Sequence, residues 1–190
     1  MRKDCITQTK NTENSNEVID EKISFIIVAD SPNARMKSYG PTSLLNINNQ
    51  KLIDLQIQQI TKHFKNYEVI LCTGYESDKI TRHIKYKHKD INIRTVENQN
   101  YENTNSCESL RLALNNVNNS KIFIIDGNLI FDGKVFIKNI KKSYMLFENK
   151  NKTLEVGMNI NEQGYTEYIG FGATNYWSEI LYLHEHNVVN

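Results

Sequence analysis

At 190 residues and 22.1 kDa the chain has room for one α/β domain with its own core, and length alone gives no reason to expect two. Twenty-three Lys and Arg against 22 Asp and Glu leave a formal charge of +1, which excludes the global basic surplus of a nucleic-acid binder and makes any charged-ligand site local. Cys5, Cys72 and Cys107 are odd in number and widely spaced, so neither a disulfide framework nor a structural zinc site is expected. With no apolar run of membrane-spanning length and no signal-peptide pattern at the amino terminus, the sequence reads as that of a cytoplasmic protein with no membrane partner. The 26 Asn, 23 Ile and 18 Lys make up about a third of the chain. They have A/T-rich codons, so scattered Asn and Lys are background, and only those inside a motif are informative.

Residues 1–22 contain a polar stretch without apolar periodicity and read as a flexible arm ahead of a domain spanning 23–190. Ile23–Ala29 is a continuous apolar run, the pattern of a strand buried on both faces, and it ends in the turn-forming cluster Asp30-Ser31-Pro32-Asn33. After a loop, Ile53, Ile57, Ile60 and Phe64 recur on one helical face. Val69–Cys72 is the next buried strand. Ser77 or Asp78 caps a second helix, and Ile91, Ile93 and Thr95 alternate as a third strand. Asn105 and Glu108 have capping-box spacing at the start of a third helix whose stripe runs Cys107, Leu110, Leu114 and Val117, with Cys107 read as core. Ile122–Ile125 is a fourth buried strand. Strands at 144–148, 154–160 and 165–169 follow, the last two joined by an Asn161–Gly164 turn. Alternating strands and amphipathic helices predict an open, mixed but mainly parallel sheet covered on both faces.

In such sheets ligands bind beyond the carboxyl ends of the strands, which nominates residues 29–45, 73–77, 98–106 and 126–132. The first segment carries Arg35-Met36, Gly40-Pro41 and Leu44-Leu45 in the order and spacing of A-A-G-x-G-x-R-M followed by P-K-x-L-L. Asn49–Ile57 is similar to G-x-P-L-I-D-x-Q-I, Thr73-Gly74-Tyr75 to T-G-Y, Asn98–Leu110 to N-x-x-Y-x-x-T-N-N-x-x-S-L, and Ile125–Asp132 to E-G-D-L-V-F-D. In these five pieces, spread over residues 23 to about 133, the chain resembles the nucleotidyltransferases that join an NTP to a sugar phosphate or phosphocholine, the phosphocholine branch most closely.

The resemblance implies a three-layer α/β/α Rossmann-like nucleotidyltransferase fold, ending sooner at its carboxyl terminus than the family does. It implies an NTP, CTP favoured, and a small phosphorylated or phosphonylated acceptor as ligands, with Mg²⁺ as cofactor if the protein is active. Nucleotide contacts fall on Ala29, Asp30, Ser31, Asn33, Arg35, Thr42, Thr73, Gly74, Tyr75, Asn103, Thr104, Asn105 and Ser106. Catalytic positions fall on Arg35, Asp126 and Asn128, with Asn128 at the family's metal position and Asp126 two residues before it. The chemistry is attack of an acceptor phosphate oxygen on the α-phosphorus with loss of pyrophosphate, which needs crowded anions held and their charge neutralised. A guanidinium at Arg35 suits that task.

Three departures accompany the match. Asp30 and Asn33 stand in the region of the loop glycines, with Pro32 removing a donor, Thr42 replaces the P-K lysine, and Asn128 replaces the G-D aspartate, leaving Asp126 or Asp132 to substitute for it. Two readings therefore stand: an enzyme of weak activity transferring CMP or another NMP, and a catalytically inactive module of the same fold that binds a nucleotide or a partner. The basic run Lys79, Arg82, Lys85, Lys87 and Lys89, with His83 and His88, reads as a solvated helix face rather than a nucleic-acid patch. His184 and His186 have no third ligand in view. Tyr176 and Trp177 pack a sheet edge or form an aromatic wall for a choline-like cation.

Overall fold

The computed structural model describes residues 22–32, 37–137, 140–149 and 156–184, so the predicted arm lies, apart from Lys22, outside the described residues. The chain forms two compact units, a larger one from Lys22–Tyr144 with the stretch from Glu179 onward, and a smaller one containing Met145–Ser178.

In the larger unit β1 (Ile23–Ala29) is apolar at every position but Ser24 and is buried almost throughout. Two 3-10 turns, Lys37–Tyr39 and Thr42–Leu44, lead into a short antiparallel pair that sequence patterning does not announce, β2 (Asn46–Ile47) and β3 (Gln50–Lys51). Its turn residues Asn48 and Asn49 have φ of 48° and 67°; a two-residue hairpin turn needs two left-handed residues, and Asn tolerates that conformation. Then come α1 (Leu52–His63), β4 (Tyr67–Thr73), α2 (Ser77–Lys87), β5 (Ile93–Glu97), α3 (Ser106–Leu114) and β6 (Lys121–Asp126). The smaller unit takes β7 (Tyr144–Asn149) from Met145 onward, together with β8 (Val156–Ile160), β9 (Thr166–Phe171) and the start of β10 (Asn175–His184).

The parallel strands of the larger unit lie in the order β5-β4-β1-β6, and Ile180–His184 of β10 add an antiparallel strand beside β6. The fold is thus a mixed, mainly parallel α/β sheet, as the alternation of elements predicts. Successive strand residues face opposite sides. Ile26, Val28, Ile70, Cys72, Ile122 and Ile124 pack with Ala113, Leu110 and Leu114 of α3. On the other side Phe25 and Phe123 stack at 5.1 Å, Phe64 at the end of α1 meets Phe25 edge-on, and α2 lies beside α1 through contacts from His83 and His88 to Asp54. Burying Phe25, Ile27, Ile53, Ile57 and Ile60 in that layer contributes about 1.5–3 kcal/mol per side chain.

Local details correct three expectations. Glu76, with φ of 49°, holds the position before α2, and no side chain caps the helix: the Ser77 hydroxyl is buried against that of Thr73 at 2.8 Å. Asn105 does cap α3, accepting from the Cys107 N–H at 3.1 Å, but Glu108 grips Arg111 at 2.7 Å instead of closing a capping box. Cys107 is exposed; the apolar stripe of α3 runs one step away from it, through Leu110, Ala113 and Leu114. In the smaller unit the Asn161–Gly164 turn is present, joining β8 to β9, with Gly164 at φ 82°. The basic run on α2 and just after it is exposed at Lys79, Arg82, Lys85, Lys87 and Lys89, as a solvated face requires, but His83 and His88, read as part of that face, are largely buried against Asp54.

At the amino-terminal edge of the sheet Glu68 is 4% exposed and saturated with donors. Ser24 Oγ and Asn119 Nδ2 donate to Oε1 at 2.7 and 2.8 Å, and Lys22 Nζ and Arg94 Nη2 to Oε2 at 3.0 and 3.2 Å. Burial alone would raise its pKa, but the hydrogen bonds from Ser24 and Lys22 and the charges of Lys22 and Arg94 hold it below the usual range. A depressed carboxylate contributes stability above its unfolded pKa and loses it as pH falls through the folded one. Glu68→Gln is therefore expected to destabilise by about 1–2 kcal/mol near neutral pH, a modest figure because Lys22 and Arg94 remain half-solvated. Urea denaturation at pH 7 and again at strongly acid pH checks this: the gap between variant and wild type should close in acid.

Candidate functional site

The register places the carboxyl ends of three neighbouring strands level, with Ala29 beside Thr73 and Val28 beside Asp126. The chain leaves β1 for β4 on one side and reaches β6 on the other, so the β1/β6 boundary is a topological switch point, where open α/β sheets bind ligands. A cleft opens there. Val28, Ala29, Asp30 and Ser31 form its β1 wall, Thr42 and Ser43 a second, and Ser106, Asp126 and Asn128 the remainder.

Asp30 is the hub. It is 3% exposed, and its Oδ1 accepts from Ser31 Oγ and Ser106 Oγ, both at 3.1 Å, while Oδ2 accepts from Ser109 Oγ at 2.5 Å. Its carbonyl accepts the Tyr75 N–H at 2.8 Å. That approach explains Gly74: a Cβ there would lie 2.6 Å from the Asp30 carbonyl oxygen and 2.7 Å from Tyr101 Cβ. Gly127 plays the same part on the other side, its N–H donating to the Val28 carbonyl at 2.8 Å and its Cα facing Ala29.

Asp126 ends β6 with Oδ1 accepting the Asn128 N–H at 2.6 Å. Burial, then the negative charge of Asp30, raise its carboxyl above the usual range against that hydrogen bond. A raised carboxyl favours its protonated form in the folded protein, so ionising Asp126 costs stability as pH climbs past the ordinary carboxylate range. Asp126→Asn is accordingly expected to raise Tm at pH 7 by about 2–4 °C, the shift that about 1 kcal/mol produces in a chain of this size. Calorimetry at pH 7 and in acid checks it, since the gain should vanish where the wild-type carboxyl is already protonated.

Across the cleft, Thr42 Oγ1 and Ser43 Oγ are buried and have no hydrogen-bond partner among the described residues. Buried hydroxyls are normally paired, so both are donors that a bound group could use. Behind the cleft, buried Gln56 of α1 donates to the carbonyls of Asp126 and Leu129 at 3.0 and 2.8 Å and fixes the turn after β6.

Of the residues proposed from sequence, Ala29, Asp30, Ser31, Thr42, Ser106, Asp126 and Asn128 line the cleft together. Thr73, Gly74 and Tyr75 are not among the lining residues: Thr73 and Gly74 are buried, and the Tyr75 hydroxyl donates to the Lys37 carbonyl. Asn103, Thr104 and Asn105 lie on the loop before α3, where they bond within the loop or cap the helix. Asn33 and Arg35 lie outside the described residues. Lys37 and Lys51 are not among the lining residues, and Asp132 caps a 3-10 turn through the Lys134 N–H at 2.9 Å. Sequence reasoning passed over Ser43, Gln56, Asn98 and Ser109. Asn98, 2% exposed, donates to Thr104 Oγ1 and Ser109 Oγ, both at 2.9 Å, and so orients the hydroxyl that holds Asp30. Its signal was its place at the head of the N-x-x-Y segment.

The family model described as Domain of unknown function (DUF6564) matches residues 44–157, more than half of the chain. The chain belongs to that family. No curated protein matches its sequence. Solved structures share its fold, and the DUF6564 chain superposes on a CTP:phosphocholine cytidylyltransferase from Streptococcus pneumoniae with a TM-score of 0.67 at 18% identity, covering 88% of this chain and 73% of that one. An inositol-1-phosphate CTP transferase from T. maritima gives 0.66 at 14%, covering 87% and 71%, and a putative glucose-1-phosphate thymidylyltransferase from Bacillus anthracis gives 0.65 at 13%, covering 86% and 71%. The DUF6564 chain therefore has the nucleotidyltransferase fold. Among the described residues no helix is long and apolar enough to cross a membrane.

Proposed function

We propose that the cleft binds a nucleoside triphosphate, CTP in preference, and transfers its nucleotidyl group slowly to a small phosphorylated acceptor such as phosphocholine. One observation carries the reading: two carboxylates and two orphaned hydroxyls converge at the switch point of a nucleotidyltransferase fold. No described lining residue is Lys or Arg, so the cleft is anionic and would repel a bare triphosphate. Its donors are all hard oxygens, which fit Mg²⁺. Asp126 and Asp30 would hold the ion, which supplies neutralisation of the charge gathered on the phosphates. Around it, Thr42 and Ser43 donate hydrogen bonds to phosphate oxygens, and Arg35, through the resemblance of its loop, grips two of them. The acceptor's phosphate oxygen attacks the α-phosphorus and pyrophosphate leaves in line. A binding-only module is the second reading, favoured by the neutral hydroxyl at Thr42 where the nucleotidyltransferase motif it resembles has a lysine.

Isothermal titration with CTP, UTP and ATP, with and without Mg²⁺, tests the proposal. Binding should require Mg²⁺, disappear in Asp126→Asn, and weaken by about 1.5–3 kcal/mol in Arg35→Ala, the range of a lost charge-assisted contact. Nucleotide affinity indifferent to Mg²⁺ and to both variants would remove the cleft from the reading.

A further inference from the structure

None of the residues that line the cleft takes part in a second convergence, on the seam between α1 and α2. His83 Nε2 and His88 Nε2 each lie 2.7 Å from Asp54 Oδ1, and the two imidazole rings stand at 73° with centroids 6.2 Å apart. The three donor atoms all fall within 4.8 Å of one another. Residues five apart do not share a face on a regular helix. His88 reaches Asp54 because it closes α2 outside helical geometry, at φ −121° and ψ 34°, while His83 approaches from the turn before the last and Asp54 from the first turn of α1.

We propose that Asp54, His83 and His88 form a Zn²⁺ site with a fourth position open to water. Two imidazole nitrogens and one carboxylate oxygen are a donor set that Zn²⁺ favours, and three protein ligands with a solvent position are a common arrangement for it. The side chains are 14%, 21% and 11% exposed, buried enough to be preorganised and open enough to admit a water. His88 sits at the carboxyl end of α2, where the helix dipole favours a cation. Both imidazoles converge on the same carboxylate oxygen, so modest outward shifts of the three donor atoms would open a position between them for a metal ion. Bound there, the ion ties α2 to the turn of α1 that precedes Gln56, the residue fastening the loop after β6. The site is independent of any nucleotide chemistry.

The full chain, stripped with chelator, is titrated with Co²⁺ and followed by visible absorption, then competed with Zn²⁺. One equivalent should give the intense bands of a four-coordinate nitrogen/oxygen site, without the thiolate charge-transfer band that exposed Cys107 would add, and Zn²⁺ should bleach them. Proton NMR of the Co²⁺ form should show two strongly shifted, exchangeable imidazole N–H signals, which counts the histidine ligands in the unaltered chain. His88→Ala and Asp54→Asn should each weaken binding at least about tenfold, the scale on which even outer-shell losses act, while His184→Ala with His186→Ala leaves it unchanged. A Co²⁺ spectrum like that of the aquo ion, no shifted imidazole signals, or affinity that follows His184 and His186 instead would overturn the assignment.

Discussion

Replacing Thr42 by Lys together with Asn128 by Asp is expected to raise pyrophosphate release from CTP, Mg²⁺ and phosphocholine by about 10²-fold or more over a wild-type rate near background. A preorganised group that stabilises developing charge is commonly worth about 10²–10³ in rate, and on the proposed function Thr42 and Asn128 are neutral at two positions where such a group would act. Both positions already line the cleft beside Asp30 and Asp126, so the new ammonium arrives among carboxylates that stabilise it, and the new carboxylate joins an existing oxygen cluster. Each single change should give a smaller gain, because a cation without its metal-binding partner leaves half the charge unbalanced. A coupled pyrophosphate assay across the four proteins, with phosphorylated acceptors in turn, reads the result. A flat series would favour the binding-only module, and fast turnover by the wild type would show that other residues already supply the missing charge.

Asn98→Ala is expected to lower stability by about 2–3 kcal/mol, or roughly 5–10 °C in Tm, and to weaken nucleotide binding as well. Asn98 is buried and three of its bonds lie inside the site's supporting shell: to Thr104 Oγ1, to Ser109 Oγ and from the Asn100 N–H at 3.0 Å. Truncation strands the Asn100 N–H, opens a small cavity, and leaves the Ser109 hydroxyl free to turn away from Asp30. Calorimetry and CTP titration together check the claim; a lowered Tm with unchanged affinity would confine Asn98 to a structural part.

The central strands were legible because parallel strands buried on both faces are written as continuous apolar runs, and Ile23–Ala29, Val69–Cys72 and Ile122–Ile125 are such runs. Strand-end geometry then pointed to the cleft without any knowledge of side-chain contacts. Polar residues that work from inside were harder to read. Ser109 and Gln56 sit at positions where helix periodicity asks for apolar residues, and only the three-dimensional neighbours, Asp30 for one and the Asp126 carbonyl for the other, explain a buried hydroxyl and a buried amide. Asp54 lies 29 residues before His83, a separation at which no local pattern links them, and the lysines around His83 and His88 disguised both as part of a solvated face. Cys107 was misplaced by one step of helical phase, since its apolar neighbours on α3 tolerate either reading until the sheet beneath them is known.

That step of phase gives the molecule a built-in reporter position. Cys107 stands exposed next to Ser106, whose hydroxyl touches Asp30 at the floor of the cleft, while Cys72 is buried with its thiol pushed up to about 12 by burial and by the Asp30 charge, and so is inert to alkylation. On a Cys5→Ser background a single environment-sensitive dye can be attached one residue from the site, on a helix start already fixed by the Asn105 cap, and its emission would follow ligand entry directly, with no need to know the acceptor in advance.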